Sequence, residues 1–389
     1  MCLTRLIAVL VFARLFADPP TMFTELSTAL RRRVTKYGHE AYSYSLPGGF
    51  ARDDSPLQPT SDAQQLAEQP EVDLHQRTLL VTDAASDLPA DWRAQEGIVL
   101  LPMKLRNREI SRLDHGDDDE ALRFASKQRA AIEGATLTLA PTITTTGELI
   151  GQQLRDETDF VLQIAMSSMR SNCYANSLTA AQKLMVMRSR DRRRSGNTRP
   201  FKMWVVDSRA RFNGHGVLVA ECARLLRANV ALPQTVQQID GLRQHVKTLV
   251  VPRELSLFHR SGALSGGSLS HWLARSVGQY FDRVPIALAS ADDVSVMSTQ
   301  RGFEAAANHA IARATRSVEA GLEAAFVCAS YAGDIDDLRQ VEAFAELAAS
   351  CEKHGIILLT GAMSMTNAAI LGGGSLLLSF ASQHDVARG

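Results

Sequence analysis

Two hydroxyl-rich segments are the residues of this sequence best suited to chemistry. Thr142-Ile143-Thr144-Thr145-Thr146 leads into a helical pattern at Glu148, and Ser167-Ser168-Met169-Arg170-Ser171-Asn172 follows the apolar run Phe160 to Ala165. Each sits where a strand ends or a helix begins, the edge at which ligands bind in open α/β sheets. A helix N-terminus offers unpaired N–H groups and a partial positive charge, and Ser and Thr hydroxyls add donors. Such a place suits a carboxylate or a phosphate. Helix capping accounts for either segment taken alone. Two such segments in one sheet point to a ligand.

Other reactive residues have simpler explanations. Asp117-Asp118-Asp119-Glu120 opens a helical pattern, where carboxylates cap free N–H groups and suit the helix dipole. Asp83 and Asp87 flank a strand end in Val81 to Pro89, and Pro89 supports capping there too. No Ser, His and Asp triad is legible. A hydrolase or transferase using Ser168 as nucleophile would need a base, for which the sequence offers only His215. Gly372-Gly373-Gly374 is not followed by Lys-Ser/Thr, and no G-x-G-x-x-G links a strand to a helix. The five cysteines, Cys2, Cys173, Cys222, Cys328 and Cys351, form no C-x-x-C pair. They spell neither a disulfide framework nor a zinc site, and reduced thiols in a cytoplasm are the simplest reading. No metal or cofactor is expected.

The elements that would position the two hydroxyl segments begin near residue 78. Short apolar runs there alternate with helical patterns. Thr78 to Thr82, Gly97 to Leu105, Phe160 to Ala165 and Phe201 to Val206 read as strands. Asp118 to Ile132, Glu148 to Arg155, Asn172 to Met187 and Gly216 to Ala228 read as helices. Continuous apolar strands alternating with helices imply a parallel-sheet α/β domain over 78–231. A second α/β domain over 232–389 carries adjacent strands at Val284 to Ala289 and Val294 to Ser298, which implies a mixed or antiparallel sheet. Residues 188–199 (RSRDRRRSGNTR) read as a solvated basic loop. Residues 1–77 read as an N-terminal extension and linker: Leu6 to Ala17 as a plain helix or as sequence upstream of a start at Met22, in preference to a secretory signal, which Arg14 interrupts, Phe23 to Tyr37 as a basic helix, and 46–77 as a Pro- and Asp-rich linker.

Composition narrows the classes. The 389 residues hold 42 Lys+Arg and 42 Asp+Glu, so the formal charge is zero. A dedicated nucleic-acid binder would need a basic excess. Apolar residues at 45% supply a core, and aromatics at 6% are too few for a base-stacking surface. No apolar run reaches the length of a membrane span.

In order and spacing, residues 78–382 resemble the DegV family of fatty-acid-binding proteins, the acyl-carrier subunits that present a fatty acid to a fatty acid kinase. Val81-Thr82-Asp83-Ala84-Ala85-Ser86-Asp87-Leu88-Pro89 resembles V-T-D-S-T-A-D-L-P. Ser167-Ser168-Met169-Arg170-Ser171-Asn172-Cys173-Tyr174 resembles S-S-G-L-S-G-T-Y. Val205-Val206-Asp207-Ser208 resembles V-I-D-S, and Gln300-Arg301-Gly302 resembles V-R-G. The resemblance implies the two-domain DegV fold, no catalytic role, and a long-chain fatty acid as ligand in an apolar inter-domain tunnel. It also implies a carboxylate bound by Ser168 and by Thr142, with Thr144 the alternative within the same loop. Ser167 and Arg301 join the expected site, and a fatty acid kinase is the implied partner. Each buried methylene of an acyl chain contributes roughly 0.8 kcal/mol, so the chain supplies affinity and the hydroxyls set orientation. Two family positions depart. Gly-Gly-Arg stands as Ser261-Gly262-Ala263, and the His of T-H-x-G-P-G stands as Asn367 after Thr366. These changes bear on phosphoryl handover more than on lipid binding.

Overall fold

The apolar runs of the sequence build three β-sheets. The computed structural model describes residues 74–107, 111–128, 136–260, 283–291, 293–384 and 386, with only the backbone at 259 and 260. The expected N-terminal helices and most of the linker, Cys2, and the Ser261-Gly262-Ala263 turn lie outside the described residues.

Along the chain, α1 (Leu74–Arg77) leads into β1 (Thr78–Asp83), a 3-10 turn (Ala84–Ser86), α2 (Ala90–Gln95), β2 (Val99–Leu101), β3 (Met103–Arg106) and β4 (Ser111–Asp114). Next come α3 (Asp118–Gln128), β5 (Leu137–Leu139), α4 (Ile143–Gln153), β6 (Phe160–Ala165), α5 (Cys173–Arg194), β7 (Lys202–Asp207) and α6 (Gly214–Arg227). Then follow α7 (Leu232–Leu242), β8 (Val246–Val251), α8 (Leu255–Arg260), β9 (Arg283–Ser290), β10 (Asp293–Arg301) and α9 (Phe303–Ala320). The last elements are β11 (Phe326–Tyr331), α10 (Ile335–Arg339), α11 (Glu342–Lys353), β12 (Ile357–Ala362), α12 (Met365–Leu371) and β13 (Leu376–Ala381).

The first sheet is wholly parallel, in the order β2-β1-β6-β7. The second is mixed, β10-β9-β8-β13-β11-β12, with only β11 and β12 parallel. A third, small antiparallel sheet β4-β3-β5 was not expected. The run Gly97 to Leu105, read as one strand, divides at Pro102. Proline has no N–H for a ladder, and β2 and β3 on either side of it belong to different sheets.

Between the parallel and mixed sheets lies α6. Twelve of its residues are buried, from Gly214 to Leu226, including all of its aliphatic side chains. One hydrophobic cluster joins Leu80, Leu162, Ile164 and Val206 of the parallel sheet through Val217 to Leu226 to Phe326, Cys328, Leu359 and Ala381 of the mixed sheet. On the other face of the parallel sheet, α4 and α5 cover Val81, Val161 and Met203 with Ile150, Ala181 and Leu184. A helix hydrophobic on all sides is a buried helix.

Three further expectations are corrected. The basic run 188–199 is not a loop throughout, because α5 continues to Arg194; arginine is a good helix former and suits a helix C-terminus. The threonine cluster is not a loop either, since α4 starts at Ile143 and takes Thr144, Thr145 and Thr146 into its first turn. Finally, the stretch Asp334 to Glu352, whose pattern reads as one helix, is broken after Arg339 into α10 and α11.

Candidate functional site

The parallel strands β1, β6 and β7 end together, and their carboxyl ends carry the residues of interest. In the register of the sheet Ala165 lies beside Asp207, so the chain leaving β6 turns past the end of β7. Asp207 holds that turn. Its Oδ1 accepts from the Ser168 N–H at 3.0 Å and from the Arg209 N–H at 3.1 Å, and its Oδ2 accepts from the Ser168 hydroxyl at 2.5 Å. The Asp207 carbonyl oxygen in turn accepts from Arg243 Nη1 at 2.9 Å. Nearby, burial and the Asp207 carboxylate push the Tyr174 phenol up, against the opposing pull of Arg243. Tyr174 is therefore a neutral hydroxyl at pH 7.

Ser168 is exposed while Ser167 is fully buried. The Ser167 N–H donates to the Ala210 carbonyl at 3.2 Å, and its hydroxyl oxygen accepts from the Met169 N–H at 3.2 Å. Ser167 thus shapes the loop and Ser168 faces outward. Thr142 is the N-cap of α4: its hydroxyl accepts from the Thr145 N–H at 3.1 Å and lies 2.9 Å from the Thr145 hydroxyl. Asn176 Nδ2 donates to the Pro141 carbonyl at 2.8 Å and so ties this cap to α5. Ala140, Met166, Cys173 and Tyr174 pack in one small cluster, so the two hydroxyl segments border the same apolar patch. Among the described residues no hydrogen bond joins Thr142 to Ser168. Thr144, exposed, lines a groove between α4 and α5 instead. Arg301 is exposed at the end of β10, which is the edge strand of the mixed sheet.

Behind this surface runs a buried polar network that sequence reasoning missed. Asp83 Oδ2 accepts from the Met166 N–H at 2.9 Å, at the root of the Ser168 loop. Asp83 Oδ1 accepts from the Ala85 N–H and lies 3.1 Å from His215 Nε2, while His215 Nδ1 lies 3.1 Å from the Phe212 carbonyl oxygen. Both ring nitrogens face oxygen atoms of the interior, Asp83 on one side and the Phe212 carbonyl on the other. His215 is therefore engaged in the interior, and among the described residues no imidazole bonds Ser168. That leaves the nucleophile reading without its base.

Asp87, buried and at φ 51°, joins the ends of β1 and the mixed sheet. It accepts from the Ser330 hydroxyl at 2.6 Å, the Ser364 N–H at 3.0 Å and Asn367 Nδ2 at 2.9 Å. Burial pushes its carboxyl up to about 6, against the pull of those donors. Asn367, which replaces the expected His, also donates to the Ala85 carbonyl at 3.0 Å. Asp114 does for Thr366 what Asp87 does for Ser364, accepting from its N–H at 2.7 Å and its hydroxyl at 2.6 Å, and burial raises its carboxyl too. These contacts cap the N-terminus of α12 with two carboxylates. The sequence signal for them was slight: Asp87 read as a local cap, and no spacing links it to a residue 277 positions away.

Asp117 behaves as expected, capping Glu120 N at 2.8 Å. The four described cysteines are free and buried. Among the described residues no cluster of His, Cys, Asp and Glu is arranged to hold a metal ion, and no helix is long and apolar enough to cross a membrane.

Residues 77–382 match the family model described as an uncharacterised protein of the DegV family. A DegV domain-containing protein of Xanthomonas axonopodis pv. citri is 27% identical over 304 residues, covering 78% of this chain and 97% of its own. Among solved structures, a DegV family protein from Thermus thermophilus, described by its fatty acid binding, aligns with a TM-score of 0.59 at 22% identity over 78% of this chain and 99% of its own. The fatty acid kinase B3 protein of Streptococcus pneumoniae, loaded with linoleic acid, aligns with a TM-score of 0.57 at 13% identity over 79% of this chain and 99% of its own. With the family model spanning most of its length, and the parallel and mixed sheets in place, this chain belongs to the DegV family.

Proposed function

We propose that this protein is a non-enzymatic carrier that binds a long-chain fatty acid between lobes formed by 78–231 and 232–389. Its carboxylate is received at the carboxyl edge of the parallel sheet by the hydroxyls of Ser168 and Thr142. The observation that carries this reading is the pair of hydroxyl segments bordering one patch at that edge, in a chain whose family relatives are described as binding fatty acids. Ser168 is exposed there, and its one hydroxyl proton, given to Asp207 in this structure, turns from Asp207 to the ligand carboxylate on binding. A hydrogen bond to a charged group contributes about 1.5–3 kcal/mol, enough to orient a head group whose chain supplies most of the affinity. Four unpaired buried thiols accord with a reducing cytoplasm.

Mass spectrometry of lipid extracted from the purified protein tests the reading. A long-chain fatty acid should be recovered, and Ser168→Ala combined with Thr142→Ala should lower its retention at least about tenfold. Unchanged retention removes these two residues from the site, and an extract without fatty acid rejects the carrier. Thr142→Ala alone should also cost about 1 kcal/mol of stability, as the loss of an N-cap does, so retention is compared below the unfolding range.

Presentation to a fatty acid kinase is the finer part of the reading, supported by the kinase B3 relative. Asn367 turns inward to Asp87 and Ala85 and carries no titrating group. Acyl-phosphate formation with a kinase subunit present measures whether handover survives that replacement.

A further inference from the structure

We propose that the exposed C-terminal half of α5 is a docking surface for an anionic lipid bilayer. Five of the seven residues from Arg188 to Arg194 are arginines. Two of them hold the fold. Arg192 is buried, donates to the carbonyls of Thr158, Arg199 and Pro200, and pairs with Asp159 at 2.9 Å. Arg188 donates to the Arg155 carbonyl at 2.7 Å and lies 3.5 Å from Asp156. The other three, Arg190, Arg193 and Arg194, are exposed and enter none of the ion pairs among the described residues.

Complementing the helix dipole would account for basic residues in a last turn. It does not account for the apolar residues beside them. Val186 and Met187 are 69% and 61% exposed. At 3.6 residues per turn, Lys183, Val186, Arg190 and Arg193 share one face, with Met187 and Arg194 on its flank. Met187 also lines the groove of about 480 Å³ between α4 and α5, with Ile143, Ala180 and Leu184. Exposed aliphatic side chains interleaved with unpaired arginines, on a chain of zero net charge, form a local amphipathic face.

Charge decides the occupant. Lys183, Arg190, Arg193 and Arg194 stand against Asp191 on this stretch of helix and Glu148 across the groove on α4. A second copy of the chain docked symmetrically would set like charges against one another. A nucleic acid would match the arginines and leave Val186 and Met187 without a partner. An anionic bilayer matches both, with headgroup phosphates on the arginines and the two apolar side chains at the acyl boundary.

The test is co-sedimentation of the full-length protein with vesicles rich in phosphatidylglycerol, compared with pure phosphatidylcholine. Binding to the anionic vesicles alone, weakening as salt is raised, is expected. Each basic residue near such a surface accounts for about fivefold in affinity, so Arg190→Glu with Arg193→Glu and Arg194→Glu should weaken binding at least about 100-fold. Val186→Ser with Met187→Ser keeps the charge and should weaken it about tenfold. Because the arginine variant carries three reversals on one helix, the serine pair and the salt titration stand as independent readouts should that variant fail to fold. Absence of binding to anionic vesicles overturns the proposal, as does binding that the serine pair leaves unchanged. So does concentration-dependent dimerisation that the serine pair abolishes without any vesicle binding.

Discussion

Asp87 sits where a charge is expensive, buried between the end of β1 and the start of α12. Three donors converge on it, yet burial outweighs them and its carboxyl rests near 6 instead of 3.8. An acid whose folded value is raised binds more protons folded than unfolded in the window between those two values. Stability from this group is therefore greatest below about pH 4 and declines as pH rises through 6. Between pH 4.5 and 6.5 the decline amounts to about 2 kcal/mol. Urea unfolding at those two pH values should show this fall in the native protein, and Asp87→Asn should remove that share of it. An identical pH difference in both proteins would place the titration elsewhere. At this scale, Thr142, Ser167 and Ser168 stood out by residue type and position in the sequence. Asp207 did not, because its bond to Ser168 depends on the β6–β7 register, and that register is a property of the folded sheet.

Among the elements, α6 is the most constrained. Its first turn approaches the 3-10 turn after β1 so closely that a Cβ on Gly216 would lie 2.6 Å from the Ser86 carbonyl oxygen. Backbone oxygen cannot rotate aside as a side chain can. Gly216→Ala should therefore destabilise the protein by about 1–3 kcal/mol, although alanine is the better helix former. Equilibrium denaturation measures the change, and a stabilised variant would mean that α6 has room to shift. The apolar runs made most strands legible, since both faces of the parallel sheet are covered and its strands read as unbroken hydrophobic stretches. The small sheet escaped notice because β4 (SRLD) and β5 (LTL) are short and largely exposed, with no apolar run to signal them. Helix ends were less legible. Threonine in a first turn and arginine in a last turn look like loop chemistry until the capping bond of Thr142 and the bonds of Arg192 to carbonyls beyond the helix are seen.

For the molecule as a whole, residues 70–389 form one compact unit, and the parallel and mixed sheets meet on α6. A buried hydrogen-bonded chain reinforces the junction: Ser330 bonds Asp87 and Asn213, Asn213 accepts from Ser379 at 2.5 Å, and Ser379 lies 2.7 Å from Thr248. The presence of two sheets was legible in the sequence, from strand–helix alternation followed by paired strands. Their shared helix was not, because the partner of an apolar helix face is not encoded in its own periodicity. That sharing has a thermodynamic consequence. Each sheet loses the cover of one whole face once α6 departs, so the halves lack separate melting points. Scanning calorimetry should record a single endotherm for 70–389, with calorimetric and van't Hoff enthalpies equal. Two resolved peaks would show that one half survives alone, and that the helix is a tenant of one sheet instead of the keystone of both.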